Sequence, residues 1–229
     1  MKEKIIGNDG LLNLAKKLKL KVIILHRIYH HQVKISRITL AHPLTKKMIL
    51  AIIDALVTHE KKLMNGSCLV LVDPRAVAGI THLKACIQFA LKSFKQKDNI
   101  ADKLGAEIML FLSAQRQISK AIKKVGISEK SKELLFIEVY PSDTPHLANA
   151  SILPFNLEDF LEQEKVECVE ITADLDSLPL INEDKVKRNL EIAEKEIAIM
   201  VPPQKVPQNR ALMIEKIAIE KSALLTINK

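Results

Sequence analysis

Residues 68–95 read CLVLVDPRAVAGITHLKACIQFALKSFK, and this stretch decides the fold class. It begins with a continuous apolar run over residues 68–72, which predicts a buried β-strand. Residues 73–74 then supply a helix-capping aspartate and a proline suited to a first helical turn. Over residues 79–95, apolar side chains recur every three or four positions, which predicts an amphipathic helix. A strand followed by such a helix predicts a sheet packed with helices.

The rest of the chain alternates in a similar way. Residues 22–28 and 33–40 are rich in β-branched side chains and predict two strands joined as a hairpin. The other patterns predict strands at 106–112 and 133–140, and helices at 45–63, 118–125, 157–162, 183–200 and 208–224. A hairpin combined with this alternation predicts the α/β class, with a mixed β-sheet packed with helices.

The domain organisation follows from the same patterns. Residues 1–20 are predicted to be a basic leader, and residues 21–229 a single domain with loop insertions near 141–155 and 201–210. The longest apolar run has six residues, far fewer than the roughly 20 that a membrane-spanning helix needs. The three cysteines are odd in number and widely spaced, which favours reduced thiols and a cytoplasmic protein.

The charge is unevenly distributed along the chain. The net charge of +8 is the sum of +15 over the first 130 residues and −7 over the remainder. A basic surface attracts polyanions, of which nucleic-acid backbones are the commonest, although a general bias toward lysine would give the same excess. Aromatic residues make up only 3% of the chain, so RNA binding is expected to use phosphates and shape rather than base stacking.

The predicted helix at 79–95 has a second flank besides its core face. Ala78, His82, Ala85 and Phe89 lie on this flank, away from both the core face and the lysines. Two interpretations stay open at this point: the flank is a wider core contact, or it is a docking surface for a partner.

Sequence patterns that would support catalysis are weak. No glycine-rich phosphate loop is present, and neither the loose cluster His26, His30, His31 and His42 nor the pair Asp174 and Asp176 has convincing metal-ligand spacing. We therefore expect no cofactor and no metal. Cys86 follows His82 by four residues, as a nucleophile might follow its base, but without a third orienting group a packed thiol is favoured.

Arg116 and Gln117 precede the predicted helix at 118–125. An arginine beside the free N–H groups of a helix start suits a phosphate, although an ordinary polar helix start is the simpler interpretation.

A set of short motifs carries a family resemblance. They are Asp73-Pro74, His82-Leu83, Ala85, Ala90, Phe94, Asn99-Ile100-Ala101, Glu107-Ile108, Arg116-Gln117-Ile118, Ala121 and Gly126. In this order they resemble the small kinase-binding subunit of the KEOPS complex, the PRPK-binding protein family of archaea and eukaryotes. The chain departs from the family at Asp102, where a basic residue is usual, and at Ala114, where glycine is common.

The resemblance implies a non-catalytic subunit. Such a subunit binds the kinase-like ATPase subunit of KEOPS directly, and the carbamoyl-transferase subunit only through that kinase. It also recruits tRNA, including the 3′ CCA end, for the N6-threonylcarbamoyladenosine modification. Two alternatives remain: a cytosolic protein-interaction module whose basic surface is incidental, and a small hydrolase that uses Cys86 or His82.

Candidate site residues follow from both lines of reasoning. For the kinase contact they are Ala78, His82, Ala85 and Phe89. For the nucleic acid they are Lys92, Lys95, Lys97, Asn99, Arg116, Gln117 and Lys120. The second set is expected to line one groove if the intervening strand, predicted at 106–112, brings its two halves together.

Overall fold

The computed structural model of the protein describes residues 25–63, 65–142, 157–163, 166–172, 182–200 and 206–227. The strands are β1 Leu25–Ile28, β2 His31–Leu40, β3 Cys68–Val72, β4 Glu133–Pro141 and β5 Cys168–Thr172. The helices are α1 Lys46–Glu60, α2 Ile80–Gln96, α3 Leu104–Ser113, α4 Ile118–Val125, α5 Leu157–Gln163, α6 Glu183–Leu190, α7 Glu194–Met200 and α8 Val206–Ile227. The predicted leader and most of the insertion near 141–155 lie outside the described residues, as does half of the one near 201–210.

The described strands form one sheet in the order β1-β2-β4-β3, and β5 pairs with β2 beyond the end of β1. The predicted α/β class, a sheet packed with helices, is confirmed. The direction of pairing differs from the expected mixture, because every pairing among these strands is antiparallel. Helices α2, α3 and α4 connect β3 to β4. Val72, at the end of β3, lies opposite Leu135, near the start of β4, so the two strands are antiparallel neighbours.

The strand predicted at 106–112 is wrong, because these residues belong to helix α3. A short apolar run is ambiguous between a buried strand and a buried helix. Helix α3 is buried on most of its circumference, so it lacks the polar stripe that would have identified it. Gly105 lets it approach β3 closely, since a Cβ atom there would lie 3.1 Å from Val70 Cγ2.

Two other differences lie in the second half of the chain. The helix predicted at 183–200 is two helices, because the first one ends at Leu190 and the next residue, Glu191, has a left-handed φ of 55°. Strand β5 was not predicted, and its register with β2 shifts at Thr39/Leu40. The other predicted strands and helices that lie in the described residues are confirmed near their expected bounds.

The sheet separates two apolar cores, and a third lies among the C-terminal helices. One face packs against α2, α3 and the end of α8, and the other packs against α1 and α5. The third core joins α6, α7 and α8 to Ala78. Helices α2 and α3 run antiparallel, because Ser93 hydrogen-bonds Glu107 while the Phe89 and Phe111 rings lie 5.7 Å apart between centroids.

Candidate functional site

The proposed kinase-binding flank on α2 lies partly beneath helix α8. Ala78 and His82 are buried, whereas Ala85 and Phe89 are half-buried. The Ala78 N–H donates to His82 Nδ1 at 3.2 Å, and His82 Nε2 lies 3.3 Å from Ser222 Oγ. Because Nδ1 accepts a hydrogen bond, Nε2 carries the proton and donates to the Ser222 hydroxyl.

Helix α8 is fixed on this flank by a carboxylate as well. Glu215 Oε1 accepts from the N–H groups of Thr81 at 2.7 Å and His82 at 3.0 Å, and so caps the start of α2 from another element. The flank is therefore an intramolecular contact at Ala78 and His82. A direct contact with a partner is left to Ala85 and Phe89, for which it stays a prediction.

Cys86 and His82 do not have the properties of a nucleophile and its base. Both side chains are fully buried. Burial raises the pKa of the Cys86 thiol to about 12, and burial lowers the pKa of His82 to about 4. The thiol is thus protonated at neutral pH, and both nitrogens of the neutral imidazole are already engaged.

The Asn99-Ile100-Ala101 motif is built around a buried carboxylate. Glu107 is fully buried and accepts hydrogen bonds from Ser93 Oγ at 3.0 Å, the Ile100 N–H at 3.0 Å and the Ala101 N–H at 2.7 Å. Asn99 Nδ2 donates to the Ala101 carbonyl at 2.9 Å. These contacts fix the turn between α2 and α3, so the motif has a structural role that accounts for its residues.

The Asp73-Pro74 motif also has a structural role. The buried Asp73 carboxylate accepts from Arg75 Nη2 at 2.7 Å and from Lys185 Nζ at 2.5 Å, which links the end of β3 to α6. Burial by itself would raise the pKa of Asp73, but the hydrogen bonds and charges of Arg75 and Lys185 outweigh it and hold this pKa below its ordinary value.

The candidate nucleic-acid residues fall into two groups. Apart from the half-buried Asn99, all are exposed, and no cation among them forms an ion pair with a described residue. One group, Lys92, Lys95, Lys97 and Asn99, lies at the end of α2, and the other, Arg116, Gln117 and Lys120, lies at the start of α4.

The single groove expected from the sequence is not formed. The intervening segment is helix α3, which runs antiparallel to α2 and carries the chain about 15 Å away at 1.5 Å per residue. The two groups adjoin different cavities. Lys95 lines a cavity of about 480 Å³ beside the β1-β2 turn, which we call the hairpin cavity. A second cavity of about 500 Å³, between α4 and α6, is lined by Arg116, Gln117 and Lys120.

Sequence reasoning missed an exposed apolar stripe on α1. Leu50, Ile53 and Val57 are 54%, 44% and 37% exposed and are spaced by three and four residues. The sequence contained a signal for this stripe, because the apolar residues of α1 cover a wider part of the helix surface than contact with one core requires. We call these three residues the α1 stripe.

Within the described part of the chain, no three His, Cys, Asp or Glu side chains are grouped so that they could hold a metal ion. None of the described helices has the length and apolar character to cross a membrane.

Comparison with known proteins adds one finding. The family described as kinase binding protein CGI-121 matches residues 45–223, which is most of the chain. A comparison with curated proteins finds no match. The family match includes β3, helices α2 to α4 and most of α8, and it confirms the resemblance drawn from the motifs. The chain belongs to the CGI-121 family of kinase-binding proteins.

Proposed function

We propose that this chain is a non-catalytic KEOPS subunit that binds the kinase-like ATPase subunit and recruits tRNA, including its 3′ CCA end, for N6-threonylcarbamoyladenosine formation. Membership of a kinase-binding family supports the kinase contact. The carbamoyl-transferase subunit is then reached only through the kinase. The three free thiols fit a reducing cytoplasm as the place of action.

The observation that carries the RNA half of the proposal is the set of exposed cations at the two ends of α3. Lys92, Lys95, Lys97, Arg116 and Lys120 are exposed, and none is neutralised by a carboxylate among the described residues. Cations that have no role within the fold are available to phosphate groups, and each phosphate contact releases counterions. Because the two groups are separated by the length of a helix, they suit an extended polyanion better than a small anion.

Two surfaces compete for the kinase contact. Ala85 and Phe89 remain from the sequence-based proposal, but both are half-buried, and the Phe89 ring packs against the fully buried Phe111. The α1 stripe is more exposed and lies on the opposite face of the sheet. Exposed apolar stripes are typical of protein interfaces, so we propose the α1 stripe as the stronger candidate.

The hydrolase alternative is disfavoured by the chemistry of its two residues. A protonated, buried thiol beside an imidazole that is engaged on both nitrogens has neither the nucleophile nor the base that acyl transfer needs.

Co-purification with the kinase-like ATPase subunit of the same organism tests the proposal. We expect a stable complex of the two proteins, which then retains tRNA at low salt and releases it as salt rises. Absence of the protein complex would reject the kinase half. A complex that does not retain tRNA at any salt concentration would reject the RNA half and favour a simple interaction module.

A further inference from the structure

Strand β5 leaves one edge of the sheet open. It pairs with β2 on one side, and none of the other described strands pairs with it. Val169 on this strand is 68% exposed, although it is a large apolar residue. An uncovered edge strand is a liability, because it offers unpaired N–H and C=O groups, and here an apolar side chain, to any other extended segment.

A groove of about 330 Å³ runs between β5 and helix α5, and its lining is both apolar and acidic. The lining includes Leu161, Val166 and Ile171 as well as the exposed Glu162, Glu167 and Glu170. Glu167 Oε2 lies 3.7 Å from His42 Nε2, but both side chains are exposed, so this pair is weak. Glu162 and Glu170 have no ion-pair partner among the described residues. The groove therefore suits an extended segment that carries both apolar and basic side chains.

The topology of the sheet brings one such segment to this place. Strands β1 and β5 lie along the same edge of β2, because β4 pairs with its other edge. The first residue of β1, Leu25, pairs with Lys34, and the last residue of β5, Thr172, pairs with Arg37. Three residues of a strand span about 10 Å. Since β1 and β5 are both antiparallel to β2, they run in the same direction, and the chain enters β1 from the end of β5.

The sequence that precedes β1 has the pattern that the groove requires. Residues 17–21 read KLKLK, so lysines alternate with Leu18 and Leu20. Alternation with a period of two predicts a strand with one apolar face and one basic face. These five residues match the length of β5. The three residues 22–24 are long enough to span the distance of about 10 Å from the end of β5 to Leu25.

The two faces of β5 differ in the same way as those of the KLKLK segment. Ile171 lies opposite Ile38, and both belong to the core that packs against α1 and α5. Glu170 lies opposite Thr39 and therefore on the other face of the sheet. A strand beside β5 can thus place its leucines next to Ile171 and its lysines next to Glu170 in a single register.

We propose that residues 17–21 of this chain dock along the free edge of β5 as a further, parallel strand. Leu18 and Leu20 lie over the groove, and Lys19 lies beside Glu170. The docked strand covers the edge at which a second molecule could otherwise add. The inference goes beyond the proposed function, because it uses neither the kinase nor RNA.

Disulfide trapping with the native Cys168 tests the inference in the full chain. Residues 17–20 are changed to cysteine one at a time, and crosslinking by diamide is followed by non-reducing electrophoresis. Cys168 lies opposite Leu40, on the groove side of the sheet, and a disulfide needs two Cβ atoms about 4 Å apart. Leu18→Cys and Leu20→Cys should therefore crosslink at least about tenfold faster than Lys17→Cys and Lys19→Cys. Adding Cys168→Ser should abolish the product.

Charge reversal supplies a second measurement. Glu170→Lys should slow the trapping of Leu18→Cys about fivefold, because it places like charges on neighbouring strands. Adding Lys19→Glu to that protein should restore most of the rate. The matched control is Glu220→Lys, the same charge change at an exposed residue of α8, which should leave the rate unchanged.

Two results would overturn the inference. Equal rates at all four cysteine positions would show that residues 17–20 have no fixed face toward β5. Disulfide-linked dimers in place of the intramolecular product would assign the edge to a second copy of the chain. Either result would leave the proposed kinase and RNA contacts intact, since the trapping experiment contains neither partner.

Discussion

Several cations of the C-terminal helices form ion pairs, whereas most of those on helices α2 to α4 do not; Lys124, which lies 3.5 Å from Glu191, is an exception. Lys187 pairs with Glu194, Arg210 with Glu183, and Lys221 with Glu196. Lys95 and Arg116, in contrast, are exposed and have no ion-pair partner among the described residues. Residues 131–229 carry a net charge of −7, so a lysine there finds a carboxylate nearby. Residues 75–130 carry +7 and cannot neutralise themselves.

This comparison predicts that removing three charges has opposite consequences in the two regions. Replacing Lys95, Lys97 and Arg116 together with alanine should weaken tRNA binding by about 100-fold at 0.1 M salt, if each side chain binds one phosphate. The slope of log affinity against log salt should fall by about 0.7 for each phosphate that the variant no longer binds. Filter binding over a salt series measures both quantities, and the melting temperature should stay close to that of the natural protein.

The matched control replaces Lys187, Arg210 and Lys221 with alanine. It removes the same charge, but from side chains that are engaged within the fold, so stability should fall while the salt slope stays unchanged. Equal losses of RNA affinity in the two triple variants would mean that only net charge matters, and the distinction between free and paired cations would fail.

The second prediction compares the α1 stripe with the α2 flank. Ile53→Asp should weaken kinase binding by about 30-fold and leave the melting temperature nearly unchanged, because Ile53 is exposed in the free protein. Phe89→Asp should lower the melting temperature, because the ring packs against Phe111. Titration calorimetry against the kinase subunit, with thermal melting of each variant, makes the comparison. Full kinase affinity in Ile53→Asp would show that the α1 stripe is not the kinase-binding surface and would favour Ala85 and Phe89 on α2 instead.

The sequence predicted the fold class and most elements because periodicity and turn residues are local properties. It did not predict α3, since the segment is buried on nearly every side and its apolar run fits a strand equally well. It did not predict β5, whose five residues join the sheet through a shifted register with β2. In both cases the deciding factor was a long-range contact that local patterns do not contain.

The candidate site was predictable only where residues are exposed and charged. Lysines at the end of α2 are on the surface, as helical spacing indicated. His82 and Glu107 could not be interpreted from spacing, because their roles depend on Ser222 and on the turn at Asn99. The hairpin cavity was also beyond prediction, since it brings together residues from four separate parts of the chain.

The third prediction concerns the link between β3 and α6. Asp73→Asn removes the charge that binds Arg75 and Lys185, and we expect a loss of about 1–2 kcal/mol in the free energy of unfolding. The loss is smaller than for a fully buried pair, because both cations are partly exposed and can be rehydrated. Chemical denaturation at neutral pH measures it, and Asp54→Asn on the exposed face of α1 is the control.

The same variant predicts a difference in acid stability. The pKa of Asp73 is lower in the folded protein, so its contribution is fully present above the ordinary carboxyl pKa near 4. The contribution is lost as the pH falls through the lowered value. The melting temperature of the natural protein should therefore decrease more steeply below about pH 4 than that of Asp73→Asn. Parallel curves would show that Asp73 has no such role.

The smallest expected effect is on thiol reactivity, which should differ between the buried Cys68 and Cys86 and the partly exposed Cys168. Burial raises the pKa of Cys86 to about 12, and Cys68 is equally buried, so neither should react with a thiol reagent at neutral pH until the protein unfolds. Cys168 on β5 is partly exposed and should react first, although slowly, because burial raises its pKa too. Cys168→Ser should abolish the native signal, whereas Cys86→Ser should leave it unchanged. Rapid labelling of Cys86 in the folded protein would contradict this and revive the hydrolase alternative, since a nucleophilic cysteine must be both accessible and deprotonated.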